Sequence, residues 1–174
     1  MSRPRDLASV ESDLVACRAC PRLVAWREQV GRTRRAAYAD QSYWARPVPG
    51  FGDPDAWLLV VGLAPGAHGS NRTGRMFTGD RSGEWLYRAL FCAGLASRPD
   101  ATARDDGLTL DGTFITAVVH CAPPANKPAP DEWARCRPFL ERELDVLTST
   151  RVLVTLGAYA YAREIGFPQV NIDL

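Results

Sequence analysis

The stretch of sequence that decides the fold is AWLLVVG (residues 56–62), which leads directly into LAPGAHGSNRTGRMFTGDRSG (residues 63–83). Its first part is a continuous apolar run, which is typical of a strand buried on both faces of a parallel sheet. Residues 62–83 are polar and contain six glycines, which let the backbone approach a bound group closely. Loops this long are uncommon in compact domains unless they are functional, so the sequence predicts a ligand site here.

The same order of elements recurs along the chain. The pattern predicts helices over Glu84–Leu95 and Asp131–Leu147, strands over Thr113–Val119 and Arg151–Leu156, and a short last helix. Alternating strands and helices predict an α/β fold with a parallel sheet. Ligands of such sheets bind outside the carboxyl ends of the strands, where the loops 62–83 and 120–130 both lie.

The length and composition suit one domain with a sizeable core, because the chain has 174 residues and 46% of them are hydrophobic. We interpret residues 1–174 as a single domain with an amino-terminal arm over residues 1–30. Apolar spacing predicts helix from Leu7 to Val30, interrupted at Pro21 because proline lacks an N–H group. Residues 31–55, punctuated by Gly and Pro, are predicted to be irregular.

The formal net charge is only +1, so bulk electrostatics do not indicate a nucleic-acid partner. The charge is uneven, because residues 1–50 carry nine Arg against five acidic residues. No run of about eighteen apolar residues is present, and the amino terminus has no apolar signal core. The sequence is interpreted as that of a soluble cytoplasmic protein with no membrane partner.

Four of the five cysteines have a spacing that suggests one shared site. Cys17 and Cys20 form a C-x-x-C pair, and Cys121 and Cys136 bracket the junction between a loop and a helix. Four thiolates bind either zinc or an iron–sulfur cluster, and ligand type does not separate the two. A redox pair with two simply buried thiols fits the same spacing. Cys92 lies among apolar residues of a predicted helix and is predicted to be a core residue.

The polar residues of the two loops also have ordinary structural interpretations. His68 fits a structural histidine as well as a catalytic one. Asp80 fits the cap of the following helix, and Asn126 fits a turn in its Pro-rich loop. Phe77 lies in a polar loop, which favours stacking on a planar ligand over a place in the core. Solvated charges are an equally good interpretation of Arg72, Arg75 and Arg81.

Taken together, these motifs resemble the iron–sulfur uracil-DNA glycosylases, most closely family 5, the branch of broad specificity. The match spans roughly Leu14 to Ala160 and rests on several motifs: Cys17-x-x-Cys20, Gly62-Leu63-Ala64-Pro65-Gly66-Ala67-His68-Gly69, Thr73-Gly74-Arg75-Met76-Phe77-Thr78-Gly79-Asp80, Cys121-Ala122-Pro123-Pro124-x-Asn126-Lys127-Pro128, Cys136 and Leu156-Gly157-Ala158. The resemblance implies a three-layer α/β/α fold with a short central parallel sheet. It also implies a nucleoid-associated, monomeric DNA repair enzyme that flips uracil and other deaminated bases and hydrolyses their N-glycosidic bond.

The resemblance further implies roles for individual residues. A structural 4Fe–4S cluster would be bound by Cys17, Cys20, Cys121 and Cys136. Phe77 would stack on the flipped base, and a turn would face that base through Gly62, Ala64, Pro65, Gly66 and Ala67. Asp80 and Asn126 would lie near the sugar and the attacking water, with His68 as a third catalytic candidate.

This chain departs from the family pattern at three places. Related family 4 enzymes read the uracil edge with an Asn four residues before the third cluster cysteine; here that position is Ala117, which should widen the range to deaminated purines. Ala67 and His68 stand where the family has an acidic water activator, although a base leaving as a stabilised anion needs amide donors more than a strong base. The family's last strand and its His-Pro-Ser loop are absent from a chain that stops at Leu174, so a truncated sheet with an exposed edge is expected.

Two other classes of function remain as alternatives. A truncated, non-catalytic iron–sulfur module would bind DNA and leave every base in place. A zinc-stabilised α/β hydrolase acting on a small molecule would contain one zinc and no iron. Metal content and base release therefore distinguish the three.

Overall fold

A computed structural model describes residues 6–157 of the chain. The helices and strands in this part are α1 (Leu7–Val15), α2 (Pro21–Thr33), β1 (Phe51–Gly52), β2 (Leu58–Gly62), α3 (Ser70–Thr73), α4 (Arg81–Cys92), β3 (Thr113–Ala117), α5 (Pro130–Val146) and β4 (Val152–Thr155). Short 3₁₀ helices cover Ala36–Tyr38 and Pro124–Asn126. The predicted last helix lies outside the described residues. Within them, no helix is long and apolar enough to span a membrane.

The strands form one sheet in the order β1-β3-β2-β4. β2 pairs in parallel with both β3 and β4, as the alternating pattern predicts. β1 pairs antiparallel with β3, so the sheet is mixed, and the prediction of a purely parallel sheet is wrong. The prediction that residues 31–55 are irregular is therefore wrong for Phe51–Gly52, which form β1. A strand of two residues is too short to produce a hydrophobic period in the sequence.

Helices cover both faces of this sheet. Side chains of a strand point alternately to its two faces. Leu58 and Val60 accordingly pack into a core shared with α4, whereas Leu59 and Val61 pack into a second core shared with α2. The three-layer α/β/α arrangement is therefore confirmed.

Pro21 separates the two helices of the amino-terminal arm, as predicted. It occupies the first turn of α2, where the missing N–H has no helical partner to lose, and α1 already ends at Val15. Cys20 is the N-cap residue of α2. The C-x-x-C pair therefore lies in the linker between α1 and α2, and α1 itself packs on α5.

Candidate functional site

Two loops meet at the carboxyl ends of β2 and β3. Gly62 and Ala117, the last residues of these strands, are paired in register. The pairing continues past the strands, because the Val118 and Val119 N–H groups donate to the Gly62 and Leu63 carbonyls at 2.9 and 3.0 Å. The glycine-rich loop and the loop after β3 therefore leave the sheet side by side, at the edge where α/β sheets bind ligands.

Phe77 adopts a backbone conformation that is unusual for a bulky residue. Its φ is +50°, in the left-handed region, which costs roughly 1–2 kcal/mol for a residue with a Cβ. Its half-buried ring lies against Gly62: a Cβ on Gly62 would stand 2.7 Å from Cζ and 2.8 Å from Cε2 of the ring. Only glycine at the end of β2 lets the ring take this position.

The turn before α3 presents unused backbone donors. Among the described residues, the N–H groups of Gly66, Ala67 and His68 have no protein acceptor. Successive free N–H groups of this kind favour an anion or a polarised carbonyl oxygen. The turn is partly exposed, so a ligand at the strand ends can reach these donors.

Asp80 caps α4 and also touches this turn. Its Oδ1 accepts the Gly83 N–H at 3.1 Å, which confirms the capping interpretation. Its Oδ2 faces Gly66 and Gly69, where a Cβ on Gly66 would stand 2.9 Å from that oxygen. The carboxylate of Asp80 is therefore fixed beside the free donors of the turn.

His68 is held by a tyrosine that the sequence analysis did not single out. The Tyr43 hydroxyl lies 2.9 Å from Nδ1 of His68, and the two rings meet edge to face. Burial lowers the pKa of His68, and the positive charges of Arg35 and Arg72 lower it further. The imidazole is therefore neutral at pH 7, where it can donate or accept a hydrogen bond without carrying charge.

Two arginines of the glycine-rich loop are buried, so the interpretation of solvated charges is wrong for them and confirmed only for exposed Arg81. Arg72 donates to the carbonyls of His68 and Gly79 at 2.7 and 2.9 Å. Arg75 forms a paired contact with Asp106 at 2.7 and 2.8 Å. A long loop leaves carbonyl oxygens without ladder partners, and buried guanidinium groups satisfy them.

Arg75 and Tyr87 hold the residues on either side of Phe77. Arg75 Nε also donates to the Thr78 hydroxyl at 2.9 Å, and the Tyr87 hydroxyl donates to the Met76 carbonyl at 2.8 Å. Burial raises the pKa of Tyr87 to about 12, so this hydroxyl keeps its proton. The strained backbone of Phe77 is thus anchored from both directions.

We expect Asp106→Asn to destabilise the fold by about 3–5 kcal/mol, because it leaves the Arg75 charge buried without a partner. Burial alone would raise the pKa of Asp106, but hydrogen bonds from Arg75 and from three backbone N–H groups outweigh it and hold that pKa well below its usual range. A depressed carboxyl pKa gives stability that is present above the usual value near 4 and is lost as the pH falls below it. Urea unfolding at pH 7 and pH 3 measures both effects.

The exposed salt bridge Arg137–Glu141 supplies the control for that measurement. Glu141→Gln should change the free energy of unfolding by no more than about 1 kcal/mol. An Asp106→Asn variant as stable as the parent at pH 7 would contradict the anchoring role.

Asn126 lies on the second loop and is exposed. It has φ +54° and follows Ala125 at φ +53°, so two consecutive residues adopt the left-handed region. Asn tolerates this region better than most residues, which agrees with its interpretation as a turn residue. No contact between described residues joins Asn126 to Phe77 or to Asp80, so its catalytic role stays a prediction.

The four cysteines predicted to form one site line a single cavity: Cys17, Cys20, Cys121 and Cys136. This cavity lies between the α1–α2 linker, the start of the loop after β3, and α5. Within the described residues, no three His, Cys, Asp or Glu side chains are arranged to hold a single metal ion. His120 also lines the cavity. Its Nδ1 donates to the Val48 carbonyl at 2.8 Å, so this nitrogen is not free to bind a metal.

Positive and N–H groups surround the sulfur atoms. Buried Arg27 donates to Cys121 Sγ at 2.8 Å, and the His120 N–H donates to Cys136 Sγ at 3.4 Å. Burial raises the pKa of Cys121 to about 11 and that of Cys136 to about 12, although these donors oppose the rise. Without a bound cation the two thiols therefore keep their protons, and a metal that binds here has to release those protons.

Cys92 is exposed, so its prediction as a core residue is wrong. The buried stripe of α4 runs through Gly83, Tyr87 and Leu90, and Cys92 lies to the side of it. Arg27 is a residue that the sequence analysis missed, although a signal was present. Positions 20, 23 and 27 share one face of α2, so the C-x-x-C pair already pointed to this arginine.

Comparisons with known proteins show the family to which the chain belongs. The profile of the Uracil DNA glycosylase superfamily matches residues 49–170. A type-5 uracil-DNA glycosylase of Thermus thermophilus is 60% identical over 148 residues, 84% of this chain and 66% of that protein. One of Mycobacterium leprae is 50% identical over 166 residues, 95% of this chain and 72% of that protein. One of Pyrobaculum aerophilum is 49% identical over 148 residues, 85% of this chain and 64% of that protein.

The chain spans 66%, 72% and 64% of the length of these three relatives. The motif resemblance to family 5 is confirmed by these relatives, all of which are named type-5 enzymes. The conclusion is that the chain belongs to the uracil-DNA glycosylase superfamily.

Proposed function

We propose that this chain hydrolyses the N-glycosidic bond of uracil and of other deaminated bases in DNA, with the base flipped into the strand-end site. The observation that carries the proposal is that the Phe77 ring lies against Gly62, at the end of β2, and that the turn which follows this strand has free N–H groups at residues 66–68. An aromatic face and backbone N–H groups are the two features that a flipped base requires, one for its ring and one for its carbonyl oxygens.

The reaction breaks the bond between C1′ of the sugar and the ring nitrogen of the base. The base leaves with the electron pair of that bond, and a water oxygen then bonds to C1′ while its proton is released. Free N–H groups of Gly66 and Ala67 would stabilise the negative charge that grows on the base. Asp80, fixed beside the same turn, would favour the positive charge that develops on the sugar.

The proposed substrate range depends on Ala117. It is buried at the end of β3, in register with Gly62, so its methyl group makes no polar contact with a base edge. A site without a side-chain amide at this position does not select one pattern of donors and acceptors. Uracil and deaminated purines such as hypoxanthine would therefore both be accepted.

We expect Ala117→Asn to narrow this range, because an amide pairs with uracil and is left unsatisfied by hypoxanthine. The ratio of kcat/KM for uracil over hypoxanthine should rise by roughly 10-fold or more, since an unmatched buried polar group costs about 1–3 kcal/mol. Single-turnover excision from matched duplexes measures the ratio. Ala122→Ser, at another small buried position after β3, is the control and should leave it unchanged.

We also propose that the four cavity cysteines bind a 4Fe–4S cluster. The residues present fit this group, because four thiols line one cavity and N–H or guanidinium groups already contact its sulfur atoms. When bound, the cluster would supply iron–sulfur bonds that tie the α1–α2 linker to the loop after β3 and to α5. Its role would be structural, since Cys20, Cys121 and Cys136 pack against the core on the α2 side of the sheet, whereas Phe77 packs against the core on the α4 side.

The proposed activity is tested by incubating the full chain with duplexes that contain one uracil or one hypoxanthine, and then cleaving abasic sites with alkali. Strand breaks at the modified position are expected with both duplexes and none with an unmodified duplex. A protein that contains iron and binds duplex but releases no base would support the non-catalytic module instead. A colourless protein with one zinc would support the hydrolase alternative.

A further inference from the structure

Exposed arginines that form no salt bridge within the described residues are concentrated beside the glycine-rich loop. Six exposed arginines near this loop or its flanking helices form no salt bridge within the described residues: Arg32, Arg34, Arg35, Arg46, Arg81 and Arg88. Exposed arginines elsewhere are mostly paired, such as Arg18 with Glu28 and Arg137 with Glu141. The first four unpaired arginines lie in residues 32–46, which we call the arginine segment.

The arginine segment is fixed against the glycine-rich loop by its backbone. The Trp44 N–H donates to the Arg72 carbonyl at 2.9 Å, and the Ala45 N–H donates to the Asn71 carbonyl at 3.0 Å. The Tyr43 hydroxyl adds its contact with His68. The segment therefore has a set position next to the loop that carries Phe77.

Arg34 and Arg35 are the two adjacent arginines of this segment, and both are exposed. Arg34 has φ +52° and donates through Nη1 to the Ala39 carbonyl at 2.7 Å, which orients its guanidinium. The Arg35 backbone N–H donates to the Tyr43 hydroxyl at 3.4 Å. Tyr43 therefore connects the backbone of these two arginines to His68 in the glycine-rich loop.

The local charge favours an anionic partner. Asp40 is the only acidic residue in the arginine segment, against four arginines. Burial is the main cause of the lowered pKa of His68, and the charge of Arg35 lowers that pKa further, so the field of the arginine segment reaches the loop. A guanidinium that lacks a carboxylate partner keeps its bidentate donors free for phosphate oxygens.

We propose that Arg34 and Arg35 bind phosphates of the DNA backbone next to the flipped base. This inference rests on the proposed function, because it places the duplex on the side of the glycine-rich loop where the arginine segment lies. Phosphate contacts carry no sequence information, so they fix the position of the duplex and not the choice of base.

The test measures binding of the full chain to an unmodified duplex at several salt concentrations. Each phosphate contact contributes about 0.9 to the slope of log K against log salt. The double variant Arg34→Gln/Arg35→Gln should therefore reduce the slope by about 2. Arg151→Gln is the matched control, because Arg151 is exposed, forms no salt bridge within the described residues, and lies at the amino-terminal end of β4, opposite the loops.

A slope that is the same in the double variant and in the control would overturn the inference, as would a parent chain that does not bind duplex. An equal loss of binding at every salt concentration would also overturn it, because phosphate contacts must change the slope. The proposed function is judged separately, by base release. If the double variant reduces the slope but the parent chain releases no base, the phosphate-binding role of Arg34 and Arg35 is supported and the proposed activity is rejected.

Discussion

Replacing Cys136 with Ser should prevent the proposed cluster from assembling, so that the variant contains no iron and its melting temperature falls by at least about 10 °C. A structural metal site supplies folding free energy of order 10 kcal/mol, and 1 kcal/mol corresponds to about 2–4 °C in a domain of this size. Serine is close to cysteine in size, so the substitution itself adds little strain. Iron and acid-labile sulfide analysis under anaerobic conditions, followed by thermal unfolding, measures both effects.

Cys92→Ser is the matched control for this experiment, because Cys92 is exposed and lies on α4, away from the cysteine cavity. It should retain the full iron content and change the free energy of unfolding by less than about 0.5 kcal/mol. A Cys136→Ser protein that keeps its iron would reject Cys136 as a ligand. Loss of iron with an unchanged melting temperature would reject the structural role.

β2 could be predicted from the sequence because it is a continuous apolar run, and β3 and β4 because their short runs combine apolar residues with threonine, which also favours strands. Residues 56–62 predicted β2 to within two residues, and the helix predicted from Glu84 begins three residues earlier, at Arg81. β1 could not be found in this way, because a strand of two residues has no period and depends on its pairing with β3. Long-range pairing of this kind is a tertiary effect that local propensity does not contain.

The candidate site was predictable where its chemistry depends on local sequence. The cap formed by Asp80 needs only the helix that follows. The cavity shared by four cysteines joins the α1–α2 linker to the loop after β3 and to α5, so the cysteine spacing left this site open and the motif resemblance suggested it. The partners of Arg75 and His68 were not predictable, because Asp106 and Tyr43 lie 31 and 25 residues away in sequence. Counting the charged residues of a sequence does not show whether an arginine forms a buried ion pair or is exposed to solvent.

The second large effect concerns the aromatic ring of Phe77. We expect Phe77→Ala to lower kcat/KM for uracil excision by roughly 5- to 150-fold, since stacking of a base on an aromatic ring contributes about 1–3 kcal/mol. Gly62→Ala should cause a similar loss without removing the ring, because its new Cβ would stand 2.7 Å from Phe77 Cζ and displace it. Single-turnover excision kinetics measure both variants. Phe91→Ala, which removes an exposed ring near the end of α4, is the control.

The double variant Gly62→Ala/Phe77→Ala separates a specific clash from general damage at the end of β2. Apart from the Phe77 ring, the nearest atom to a Cβ on Gly62 is the Thr116 carbonyl oxygen at 3.8 Å, which is ordinary contact. Once Phe77 is alanine, the added methyl group meets nothing, so the double variant should be no slower than Phe77→Ala alone. Such non-additivity is the signature of two residues that act through one contact. Losses that simply add would show that Gly62 serves the site through something other than the position of Phe77.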